Sequence, residues 1–79
     1  MAANEALTEY LQATPAERKR VHLEMAKSFL ESETAERAEY IQTCFQRRVK
    51  PSRSRIAGLD QAIADSHRAI KDCEAALEA

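Results

Sequence analysis

Residues 45–56 read FQRRVKPSRSRI, and this stretch decides how the chain folds. Pro51 disfavours helical geometry at Lys50, so a helix arriving from the N-terminal side must end near Val49. Ser52 and Ser54 are both suited to cap a helix that starts just beyond. The stretch therefore joins two helices by a tight turn, which predicts an antiparallel helical hairpin over about residues 34–50 and 54–78.

The second arm carries a regular seam. Ile56, Ile63, Ile70 and Leu77 recur every seven residues, with Leu59, Ser66 and Cys73 at the complementary position. Ala62, Ala69 and Ala76 flank it and allow close approach of a neighbouring helix. A turn centred near residue 52 would set Val49 against Ile56, Phe45 against Leu59 and Ile41 against Ile63. Ile63 is then a central core residue. In that register Ile70 meets Thr34 and Cys73 meets Glu31, so the outer half of the second arm needs another partner.

N-terminal to the hairpin, Thr14-Pro15-Ala16-Glu17 is a helix start. Thr14 can accept from the Glu17 N–H, Glu17 can reach back to the Thr14 N–H, and Pro15 has no donor to lose at the first helical position. From there a stripe runs through Val21, Met25, Ala26, Phe29 and Leu30. It fails across ESETAER at 31–37 and resumes at Ala38, Ile41, Cys44, Phe45 and Val49. Two readings stand: one helix from Pro15 to Val49, or two helices broken near Ser32–Thr34. A shorter element precedes it, with Asn4 as cap and Leu7, Tyr10 and Leu11 on one face.

Composition agrees with a single all-α domain over residues 1–79, a small helical bundle built on the hairpin with N-terminal helices packed on it. The chain has one Gly, two Pro and no Trp, and 15 of its apolar residues are Ala. Large apolar side chains are therefore few, and self-association into a homodimer, or a partner, could supply the missing burial. The start of the chain lacks the basic and apolar regions of a signal peptide, and no run is long enough to span a membrane. Two Cys within helical patterns fit a reducing compartment, which predicts a cytoplasmic protein.

Chemistry is sparse. No phosphate loop, nucleophile elbow or zinc-protease pair occurs, so no enzyme is expected. His22 and His67 lack a second ligand at helical spacing, so no metal and no cofactor is expected. Charge is more informative. Arg47, Arg48, Lys50, Arg53 and Arg55 surround the turn, and no acidic residue occurs between Glu39 and Asp60. Arg47 and Arg48 suit a helix C-terminus, whereas Arg53 and Arg55 sit where the dipole of the next helix prefers acids. Arg18, Lys19 and Arg20 break the same preference. A break near Ser32 would gather all eight at one pole; a continuous helix would hold the two groups about 40 Å apart. These residues are the candidate partner-binding set of a non-enzymatic protein-binding module, an adaptor, co-chaperone or stoichiometric inhibitor whose partner presents an acidic surface. The alternative is a helical regulator contacting nucleic-acid phosphates. A net charge of −1 and a pI near 6.1 weigh against it.

Overall fold

The computed structural model describes residues 2–79; Met1 and the side chains of Ala2, Ala3, Asn4 and Tyr10 lie outside the described part, and with them the roles assigned to Asn4 and Tyr10. Three helices follow one another: α1 (Ala2–Gln12), α2 (Pro15–Arg47) and α3 (Arg53–Glu78). The fold is all-α, and α2 and α3 pack as an antiparallel hairpin. No other pair of helices shares a comparable interface among the described residues.

The start of α2 follows the sequence closely. The Thr14 hydroxyl accepts from the Glu17 N–H at 3.2 Å. It also donates to the Glu17 carboxylate at 3.0 Å, so Glu17 reaches the Thr14 side chain rather than its backbone. The break near Ser32–Thr34 does not occur, and α2 is continuous. No Gly or Pro interrupts the segment, and the Thr34 hydroxyl donates to the Leu30 carbonyl at 2.7 Å inside the helix instead of capping a new one. Residues 15–33 are thus the outer half of the first arm and not a separate helix folded over the hairpin.

Burial along α2 marks a seam that the apolar pattern conceals. Lys19, Leu23, Ala26, Leu30, Glu33, Arg37, Tyr40 and Cys44 are all buried or half-buried, at alternating spacings of four and three. The matching positions on α3 are those its heptad predicts, Ile56 to Leu77, with Ser66 and Cys73 buried. Cross-helix bonds fix the register. Ser66 Oγ donates to Glu33 Oε1 at 2.5 Å, and Arg37 Nε lies 2.6 Å from Asp60 Oδ1. Farther out, residues Pro15–Arg20 face Ala76–Ala79. The expected register is therefore displaced by about one and a half to two helical turns. Ile63 comes level with residues 35–36 instead of Ile41, between the Glu33–Ser66 and Arg37–Asp60 contacts, and is half-buried. Phe45 and Val49 do not meet α3's apolar residues; they are 83% and 54% exposed. The polar run 31–37 forms the middle of the seam, where its Glu33 and Arg37 meet polar partners on α3.

This arrangement gives a long, thin molecule. Its extents are 52 × 35 × 15 Å and its radius of gyration is 17.0 Å. A compact chain of this length would have a radius near 12 Å. Among the described residues, no large side chain is fully buried.

Candidate functional site

The last turn of α2 overhangs the start of α3, and the chain must reverse beyond it. Arg48 makes the reversal with φ 57° and ψ 40°, the left-handed region. The Arg48 N–H donates to the Phe45 carbonyl at 3.1 Å and the Val49 N–H to the Cys44 carbonyl at 3.0 Å. This paired closure satisfies carbonyls that the helix end would otherwise leave open. Glycine usually takes the left-handed position, because a side chain there meets the following carbonyl.

Beyond Pro51 the chain is latched back onto α2. The Ser52 N–H donates to the Tyr40 hydroxyl at 2.7 Å. Ser52 then caps α3 by accepting from the Arg55 N–H at 3.3 Å, and its hydroxyl lies 3.1 Å from that of Ser54. Arg55 lies over the Tyr40 ring, 4.5 Å from its centroid, with Nη2 3.7 Å from Glu36 Oε1. Its position against the dipole preference thus has a local cause: a cation over an aromatic face beside a carboxylate.

The other basic residues of the turn are held differently. Arg47, Arg48, Lys50 and Arg53 are exposed, and among the described residues no carboxylate lies within ion-pair distance of any of them. Phe45 stands among them as the most exposed large apolar side chain described. The tip therefore combines one aromatic ring, the Val49 side chain and four cations on a backbone fixed at both ends.

The second basic group is elsewhere. Continuity of α2 puts Arg18, Lys19 and Arg20 at the far end, about 40 Å from Arg47. The single eight-residue pole does not form. Arg18 closes the end of α1, its Nη2 donating to the Leu11 carbonyl at 2.7 Å.

Sequence reasoning assigned Phe45 to the core and so missed it as a surface residue. The available signal was its place inside the acid-free, arginine-rich stretch. Tyr40 was missed as the residue that organises the turn, and nothing in its spacing distinguishes it from an ordinary seam position.

Among the described residues, no group of three or more His, Cys, Asp or Glu is arranged to hold a metal. His22 and His67 are exposed. Cys44 and Cys73 are free and buried, and the register separates them by about 30 Å. No described helix is long and apolar enough to cross a membrane. Comparison with protein-family models, curated proteins and solved structures yields no match for this chain.

Proposed function

We propose that the chain is a non-enzymatic protein-binding module that engages an acidic partner surface through the tip of its hairpin. The observation that carries this reading is Phe45, 83% exposed among the cations Arg47, Arg48, Lys50 and Arg53. Aromatic and arginine side chains dominate binding energy at protein interfaces. Unpaired cations around the ring would steer an acidic partner and fix its orientation. The doubly closed helix end and the Tyr40–Ser52 latch hold this surface in place before binding, which reduces the ordering cost. An adaptor, co-chaperone or stoichiometric inhibitor fits such a surface. The free, buried cysteines support placing it in the reducing cytoplasm.

The density of cations at the tip also favours a second reading, contact with nucleic-acid phosphates. The two readings separate by salt dependence. Phosphate binding would fall steeply with added salt, and an acidic protein surface more gently.

The test is capture of partners from cell lysate by the full chain and by Phe45→Ala and Arg47→Glu variants, with identification by mass spectrometry and remeasurement with the purified partner. Phe45→Ala should weaken binding by about tenfold or more. A partner bound equally well by all three proteins would refute the tip as its binding surface. Retention of generic duplex or RNA with a steep salt dependence would favour the second reading.

A further inference from the structure

The hairpin leaves a second apolar surface uncovered, away from the tip. On α2, Val21, Met25 and Phe29 are 44%, 50% and 57% exposed and follow one another at four-residue spacing on one face. On α1, Leu7 and Leu11 are 56% and 60% exposed, also at four-residue spacing. These are two apolar helix stripes of one chain that do not cover each other.

The connection explains why. Only Ala13 and Thr14 separate α1 from α2. The Thr14 cap, Pro15 and the Arg18 bond to the Leu11 carbonyl fix the elbow between them. α1 then turns Ala6, Glu9 and Ala13 toward Glu17 and Val21 of its own chain, which leaves Leu7 and Leu11 uncovered.

We propose that the occupant is a second copy of this chain: α1 of each copy lies on the Val21–Met25–Phe29 face of the other, giving a two-fold dimer. The lengths agree, since α1 spans about 16 Å and Val21 to Phe29 about 12 Å. The charges agree as well. Residues 1–17 carry Glu5, Glu9 and Glu17 and no Lys or Arg, while Arg18, Lys19 and Arg20 open α2. Reciprocal exchange brings the acidic α1 of one copy toward Arg20 of the second, which lines that face beside Glu24, itself 3.8 Å from Lys27.

The exposed area is also ample. The chain exposes 6472 Å². A compact monomer of this mass exposes roughly 4,800 Å². The difference, about 1,600–1,700 Å² per chain, is about twice what one partner contributes to a standard protein interface. Exchange of one identical element between protomers is a low-cost route to covering it.

The test is sedimentation of the full chain, with cross-linking. The chain should sediment at twice 8.9 kDa at micromolar concentration. Met25→Glu, at an exposed position, should keep its helicity and weaken association by at least tenfold. Glu9→Arg should weaken association, and adding Arg20→Glu should restore part of the loss. When a tagged Leu7→Cys chain and an untagged Met25→Cys chain are oxidised together, they should join to each other. Variants at Phe45 should leave the dimer unchanged, so failure of the tip and failure of this face are distinguishable. A monomeric wild-type chain at about 100 µM, or a dimer unaffected by Met25→Glu, would overturn the proposal. So would a Leu7→Cys/Met25→Cys chain that closes on itself in preference to a second copy.

Discussion

Glu33 and Ser66 give the sharpest test of the hairpin register. Ser66 is 9% exposed and its hydroxyl donates to the Glu33 carboxylate. Hydrogen bonds to charged groups contribute roughly 1.5–3 kcal/mol when well buried. Glu33 is only half-buried, so the coupling should fall below that range, at about 1 kcal/mol. Single substitutions would mix this with helix propensity, because Ala is the better helix former at both positions. A double-mutant cycle of Glu33→Ala, Ser66→Ala and the combined variant removes those single-site terms. The assay is urea unfolding followed by far-ultraviolet circular dichroism, with all four proteins at one concentration so that self-association is held constant. For a chain of this size, about 1 kcal/mol corresponds to a thermal midpoint change of roughly 4–8 °C. In the register that would set Ile41 against Ile63, Ser66 faces residue 38 and Glu33 lies five residues farther along α2, about 7.5 Å out of step, too far to couple. An interaction energy within about 0.3 kcal/mol of zero would refute the register described here, since independent sites add to within that margin.

Three further outcomes are expected. Gly58 is helical, and a Cβ built on it meets nothing within 4 Å. Gly58→Ala should therefore raise unfolding free energy by about 0.5–1 kcal/mol in chemical denaturation. Arg48→Gly should relieve the left-handed conformation at the turn and stabilise by about 0.5–1 kcal/mol in the same assay, the gain limited by the greater freedom of glycine in the unfolded chain. Arg53→Glu should leave stability unchanged or slightly higher, since an acid suits the first turn of α3. Arg55→Glu should lose about 1 kcal/mol, because it removes the contact with Tyr40 and sets two carboxylates together at Glu36. Equal thermal midpoints for the last two variants would contradict the role given to Arg55.

Local signals carried most of the architecture. Thr14-Pro15-Ala16-Glu17 places the start of α2 because a cap is a short-range arrangement of a few atoms. Pro51 and Ser52 place the turn for the same reason, and the heptad of α3 is legible because nearly all its large apolar residues lie on the seam. The seam of α2 was legible in part. Of its apolar stripe, Ala26, Leu30, Ile41 and Cys44 turn inward as expected, but Val21, Met25, Phe29, Phe45 and Val49 stay exposed, while Glu33 and Arg37 occupy inner positions. Polar residues can do so only because Ser66 and Asp60 meet them, and that pairing depends on register. Register in turn depends on how far α2 runs before the chain reverses. Arg48 in a left-handed conformation ends α2 before Lys50 and sends the chain back alongside its last turn. A non-glycine residue gives no sequence warning of that conformation. The basic site was legible in part. The stretch 47–55 was found as a cluster, but the separation of Arg55, tied to Tyr40, from its exposed neighbours is a tertiary fact. The distance between the two basic groups likewise follows from the unbroken helix.

The Tyr40–Ser52 latch also bears on how the hairpin assembles. Its two residues are twelve apart in sequence, and Glu36 and Arg55 are nineteen apart, whereas the open end joins residues near 16 to residues near 77. Loop closure becomes more costly as the enclosed chain lengthens. Contacts at the latch can therefore form first, and each later layer of the seam then closes only a short additional stretch. The hairpin should zip from its turn toward its ends and open in the reverse order. Amide exchange would then slow progressively from the Lys19 and Leu77 end toward Tyr40, making the end farthest from the turn the first to lose its structure and the first to meet a protease.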